Sequence, residues 1–204
     1  PGRQRTQSEI DASDDFAARA VAIDPLDARV QRTVAWTAAM SGAWARASMH
    51  MDFAARLNPS SPASLASCAM GFAWFGEPDK ATTMLTEGEG LSPSLPPWGW
   101  AYHASTNFFL DRLDDAQLAA ELGGESILDA KGWLAAIHAR KGETEQAGQA
   151  YRAFFEKLSR NWEGEGEATP EGVASWFSQA FPIKNVSDRE KLQTAVKAAC
   201  TAAY

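Results

Sequence analysis

The sequence predicts an all-α chain of repeated helical hairpins, wound as a right-handed α–α superhelix and closed by helices at its C-terminal end. Three observations carry that prediction. The dipeptides Asp24-Pro25, Asn58-Pro59 and Ser92-Pro93 follow one another at 34-residue intervals, each ending a similar phrase. A fixed period of that length marks a helix–turn–helix array, and each proline stops a helix and turns the chain into the next repeat. Small residues also recur in register: Gly42 with Gly76, Ala47 with Ala81, Ala35 with Ala69, and Ala54 with Gly88. Paired helices approach closely only where side chains are small, and a turn glycine takes positive φ without a steric cost. Finally, 204 residues at 45% hydrophobic and 22% charged are enough for a sizeable helical core.

In chain order, Ser13-Asp14-Asp15 reads as a helix start, with Ser13 as cap, leading to a partial repeat over residues 14–25. The first full repeat spans residues 26–59. Its helices run over 26–40 and 43–57 around Gly42, with Ala47, Met51 and Ala54 on one buried face. The second spans 60–93. Ser61-Pro62 opens its first helix, Phe75-Gly76 ends it, Pro78 opens the next, and Gly88 and Gly90 loosen the end. The third spans 94–127 and carries the densest aromatic cluster: Trp98, Trp100, Tyr102, Phe108 and Phe109. There Leu110 stands in the place of the turn glycine, Leu113-Asp114-Asp115 starts the second helix, and Gly123-Gly124 ends it. The fourth spans 128–160. Ser126 and Asp129 form an approximate capping box, and Gly142 makes the turn. Glu163 to Glu167 alternate with glycine and read as a mobile loop. Residues 168–204 form closing helices, opened by Thr169-Pro170 and by a capping box at Ser187-Asp188-Arg189-Glu190.

These residues together resemble a degenerate tetratricopeptide repeat (TPR) domain over roughly Asp14 to Arg160, so the whole chain is expected to form a single TPR-like solenoid. Several places depart from the family pattern. The first tryptophan is replaced by Gln31, Leu65 and Gly99, the leucine by Val34, Cys68 and Tyr102, and the following small residue by His103 in the third repeat. Leu95-Pro96-Pro97-Trp98 and Gly142 to Ala147 are similar to the C-terminal repeat regions of certain bacterial signalling proteins. In those, a winged-helix DNA-binding domain or a class III nucleotide cyclase precedes the repeats. The unpaired helix before Pro25, and the opening Pro1-Gly2-Arg3, suit an excised piece of such a protein.

The resemblance implies a concave face lined by the first helix of each repeat. It selects Arg29, Arg32, Trp36 and Met40 in the first repeat and Met70 and Trp74 in the second. In the third it selects Trp100, Asn107 and Phe108, and in the fourth Asp129 and Arg140. Aromatic residues and arginine dominate binding energy in desolvated grooves, and arginine holds carboxylates through paired hydrogen bonds. The expected function is therefore a protein–protein interaction scaffold that takes a peptide or partner domain, with an acidic group near Arg29 and Arg32. The plainer alternative is that Trp36, Trp74 and Trp100 only fill a curved core. Two other functions stay open: a small-molecule sensor built on the third-repeat aromatics, and a homodimerisation module.

Catalysis is not expected. His50, His103 and His138 lack metal-ligand spacing, no Gly-x-Ser-x-Gly elbow or phosphate loop occurs, and Asp114-Asp115 and Glu163 to Glu167 read as solvated acids. No cofactor is implied. The net charge of −7 argues against direct nucleic-acid binding. No apolar window long enough for a membrane span appears, and no signal peptide. Cys68 and Cys200 read as buried free thiols, which with the rest predicts a cytoplasmic protein.

Overall fold

A computed structural model describes residues 1–92 and 94–204, and their regular structure is entirely helical. Pro93, the third periodic proline, lies outside the described residues. The helices are α1 (Gln7–Ile23), α2 (Ala28–Met40), α3 (Trp44–Leu57), α4 (Pro62–Trp74), α5 (Pro78–Leu91), α6 (Pro97–Phe109), α7 (Leu113–Gly123), α8 (Ala130–Lys141), α9 (Thr144–Ser159), α10 (Pro170–Gln179) and α11 (Val186–Ala203). Among the described residues no helix is long and apolar enough to cross a membrane.

The chain forms two compact units. The N-terminal unit is Arg5–Leu95 together with the short segment Pro182–Asn185. Its helices pack consecutively: α1 on α2, α2 with α3, α3 on α4, and α4 with α5. The C-terminal unit is Pro1–Gln4, Pro96–Phe181 and Val186–Tyr204. It pairs α6 with α7 and α8 with α9, while α11 lies along both α8 and α9 and packs on α10. This is the repeated-hairpin architecture that the sequence implies, with α11 covering the last hairpin. Leu192, Ala195, Val196, Ala199 and Cys200 face inward on α11, while Arg189, Glu190, Thr194 and Lys197 stay exposed.

All four hairpins turn in the same way. Gly42, Gly76 and Gly142 take φ of 76°, 73° and 76°, and the residue after each donates its N–H back across the helix end. Those bonds run from Ala43 to Ala38 O (2.8 Å), Glu77 to Phe72 O (2.9 Å) and Glu143 to His138 O (2.9 Å). This is a Schellman closure, which satisfies carbonyls that a helix end leaves over. The third hairpin closes identically, from Arg112 to Asn107 O at 3.0 Å, but its left-handed residue is Asp111, at φ 60°. The turn position therefore belongs to Asp111, not Leu110, because Leu110 keeps an ordinary negative φ of −83°.

Counting from the turn residue corrects the register of the third repeat by one. The interval from Gly76 to Asp111 is 35 residues, because five residues rather than four separate α5 from α6. The small residue of that repeat is then Ala104, not His103. Ala35, Ala69, Ala104 and Ala135 hold one equivalent position and Ala47, Ala81, Ala116 and Ala147 another, each at most 1% exposed. His103 takes the place expected for Tyr102, and Trp100 that of Gly99. The irregularity after Asp111 arises from α7, which has 11 residues where α5 has 14.

Several local expectations differ from the structure. The cap of α1 is Thr6, whose hydroxyl and Glu9 form a capping box; Ser13 lies inside the helix and donates to Glu9 O. Gly88 and Gly90 remain within α5, where Gly88 is buried against Leu65 and Pro62 of α4. Asp129 precedes α8 without capping it, since its carboxylate accepts instead from Trp133 Nε1 at 3.1 Å. α11 begins at Val186, one residue before Ser187. The acidic loop is anchored where it starts: Glu163 N–H donates to Pro1 O at 2.8 Å. Cys68 and Cys200 are free and buried.

Candidate functional site

The N-terminal unit gathers six of the sequence-selected residues on α2 and α4. Counted from the turn glycines, Trp36 and Met70 occupy equivalent positions, as do Met40 and Trp74. Repetition thus places two large side chains from each helix in matching rows. The Trp36 ring meets Trp74 edge-on at 5.4 Å and Phe75 at 5.7 Å. Trp44, at the start of α3, closes on Phe75 at 6.1 Å. Edge-to-face packing of this kind suits the aromatic quadrupole. Trp74 and Met70 are buried, at 6% and 8% exposure, while Trp36 and Met40 are half-buried.

Beside Met40 lies a cavity of about 160 Å³, lined by Arg5, Ile10, Ser13, Trp36, Thr37 and Met40. Arg5 reaches it from just before α1 and donates from Nη1 to Met40 Sδ at 3.1 Å. The cavity walls are apolar apart from this guanidinium and two hydroxyl groups.

The two arginines of the row are already engaged. Arg32 donates to Ser64 Oγ at 3.1 Å and so ties α2 to α4. Arg29 folds back onto Asp27, the cap of α2, with Nη2 2.7 Å from the carboxylate. Hydrogen bonds from Arg29 hold the Asp27 carboxyl down at about 2. Arg29 also edges a separate open groove between α1 and α2, of about 620 Å³, with Phe16, Ala20, Val30 and Thr33 among its walls. The structure therefore does not bring Arg29 and Arg32 together around one free anion position.

The other selected residues belong to the C-terminal unit. Trp100 is half-buried and meets the His103 ring at 5.5 Å; burial pushes the His103 imidazole down to about 4. Asn107 is buried at 5% exposure. Phe108 is fully buried, packed edge-on against Phe109 at 5.2 Å and Trp133 at 5.7 Å. Arg140 lies over the Phe108 ring at 5.2 Å, donates to Phe108 O at 3.1 Å, and pairs with Asp111 at 2.7 Å. Phe108 and Arg140 are thus parts of the hairpin core and its turn. Asp129 lies under the Trp133 indole, and burial raises its carboxyl. The void ringed by Ala101, Ala104, Ala120, Ala130 and Trp133 has no room for a water molecule.

Sequence reasoning missed Arg5, Ile10, Trp44 and Phe75 as members of the aromatic site. Phase held the only signal for Phe75 and Trp44, since Phe75 directly precedes the turn glycine Gly76 and Trp44 follows Gly42 by two residues at the start of α3. It also missed Pro182–Asn185, which no periodicity marks. Among the described residues no group of three or more His, Cys, Asp or Glu side chains is placed to hold a metal ion. Burial raises the Cys68 thiol to about 11 and also raises Cys200, so neither thiol ionises readily near neutral pH. No family model matches the chain, and no curated protein matches it.

Proposed function

We propose that this chain is a TPR-like interaction module that binds an extended peptide segment along α2 and α4. The observation that carries this reading is the half-buried pair Trp36 and Met40, standing beside an apolar cavity of about 160 Å³ on a rigid aromatic base. Large aromatic and thioether side chains held ready in this way supply contact area at little further entropic cost. The turn-anchored register supports the family resemblance as well: it puts Trp100 at the place where that pattern carries tryptophan. In this reading the chain is a non-catalytic, cytoplasmic part of a larger bacterial regulator, and its acidic charge keeps nucleic acid away.

A peptide is favoured over a small metabolite by the packing of the third repeat. Its aromatics Phe108 and Phe109 are spent on Trp133, and the adjoining void is too tight for a ligand. The test is selection of a random peptide library against the full chain, with binders titrated against wild type and Met40→Glu. Peptides that bind saturably and weaken about tenfold or more, equivalent to roughly 1.4 kcal/mol, support the reading. Failure to select any binder, or indifference to Met40→Glu with helicity unchanged, overturns it. Trp74 is unsuitable as a probe because it is buried in the base.

A further inference from the structure

The turn between α4 and α5 already holds an extended peptide, supplied by the chain itself. Pro182–Asn185 has no regular secondary structure and belongs to the N-terminal unit. One buried side chain and two contacts define how it is held. Ile183 is buried, at 2% exposure. Lys184 N–H donates to Trp74 O at 2.8 Å. The Asn185 amide lies over Gly76, so close that a Cβ there would come within 2.6 Å of its nitrogen. The Schellman closure explains why this carbonyl is on offer. The turn uses Phe72 O and Ala73 O, which leaves Trp74 O pointing out of the helix end.

Repeat symmetry places the same parts one hairpin earlier. Met40 O is the counterpart of Trp74 O, and among the described residues no backbone N–H outside its own helix reaches it, since the α2–α3 turn uses Ala38 O and Ala39 O. Gly42 is the counterpart of Gly76, and nothing lies within 4 Å of where its Cβ would stand. The third part is an apolar recess, and the cavity of about 160 Å³ beside Met40 provides one.

We infer that the α2–α3 turn is a second receptor of this kind, open to an extended segment of another protein with the chemistry of Pro182–Asn185. A branched aliphatic residue enters the cavity beside Met40. The next main-chain N–H bonds to Met40 O, and a flat amide side chain covers Gly42. This inference rests on the peptide-binding reading and names the ligand class for that site. The resident segment supports an extended peptide over a helix, because it is held through its main chain and through alternate contacts.

The experiment titrates a labelled, end-capped peptide copying residues 180–187 into the full chain, read by fluorescence polarisation. The resident copy fills the α4–α5 turn, so added peptide reports the α2–α3 turn. Gly42→Asn keeps a residue that tolerates positive φ and covers the open shelf, while Met40→Glu puts a carboxylate at the cavity. The expected result is saturable binding that weakens about tenfold or more in each variant, with circular dichroism unchanged. It should weaken likewise when the peptide carries Asp at its Ile183 position. No saturable binding overturns the inference, and so does binding that responds to Gly76→Asn but not to Gly42→Asn, which would mean that the peptide displaces the resident. If library peptides of different chemistry bind in a Met40-dependent way while this peptide does not, only this inference fails. If no library peptide binds either, the peptide-binding reading fails with it.

Discussion

His103 and Asp111 show what single residues contribute to this fold. His103 is 2% exposed, and burial lowers its imidazole from 6.5 to about 4. The folded pKa lies below the unfolded one, so stability is complete above 6.5 and falls as the unfolded chain takes up a proton that the folded chain refuses. The loss accumulates between 6.5 and about 4, amounts to something on the order of 3 kcal/mol, and then levels off. Urea unfolding at a series of pH values should show that slope, and His103→Leu should remove this part of it whatever its effect at neutral pH. Asp111 bears left-handed strain of roughly 1 kcal/mol that glycine would relieve. It also pairs with Arg140 at 2.7 Å and Lys191 at 3.2 Å, which ties the turn to α8 and α11. Such partly exposed pairs are worth about 0–1 kcal/mol each. Asp111→Gly should therefore stay within about 1 kcal/mol of wild type, whereas Asp111→Val, which keeps the strain and loses the pairs, should cost roughly 2 kcal/mol or more in denaturant unfolding. The sequence contained the clue to this turn, since Asp tolerates positive φ better than Leu. Proline spacing obscured it by setting the register one residue early.

Among the elements, α1 and α11 differ most in how firmly they are held. α1 packs on α2 and leaves Phe16 and Ile23 exposed at 67% and 86%. Its polar tie is Asp14, which accepts from Arg46 at 2.7 Å and from Thr37 at 3.3 Å. The Arg46 hydrogen bond is the largest cause that lowers the Asp14 carboxyl below 3.8. A depressed folded pKa means that this contribution is present above 3.8 and disappears as pH falls through the folded value. Arg46→Ala should speed amide exchange in α1 by up to about fivefold, the equivalent of a partly exposed pair, and leave α4 unchanged. α11 is held by close approach instead. A Cβ on Gly148 of α9 would stand 2.7 Å from the Ala202 carbonyl carbon. Gly148→Ala should lower the melting temperature through a loss of about 1–3 kcal/mol. The existence of both helices was legible from periodicity. Their start residues were not, because several Ser and Asp residues suit a cap and only tertiary packing decides among them.

At the scale of the whole molecule, the repeating small residues and turn glycines made the hairpins legible, because helix pairing imposes the same steric demand in each repeat. The candidate site was legible in part. Trp36 meets Trp74 and shares a cavity with Met40 because repetition puts these residues on matching faces, whereas Arg29 is claimed by its neighbour Asp27, a local competition that no period reveals. Two units built from interleaved stretches of chain were not legible, since long-range docking of an irregular segment leaves no periodic trace. That interleaving has a measurable effect: Ile183→Asp should raise amide exchange at the end of α4, although Trp74 lies more than a hundred positions earlier in the sequence. Unchanged exchange there would show that the segment contributes nothing to the N-terminal unit.

The same docked segment sets an order of events during synthesis. Leu95, the end of the N-terminal unit's main stretch, leaves the ribosome about 90 residues before Ile183 does. At roughly 5–20 residues per second, that delay is about 5–20 seconds. Throughout it, the nascent α4–α5 turn lacks the Lys184 N–H that bonds to Trp74 O in the finished fold. Any other extended segment that meets the turn in that interval does so before the chain's own Pro-Ile-Lys-Asn can compete for it.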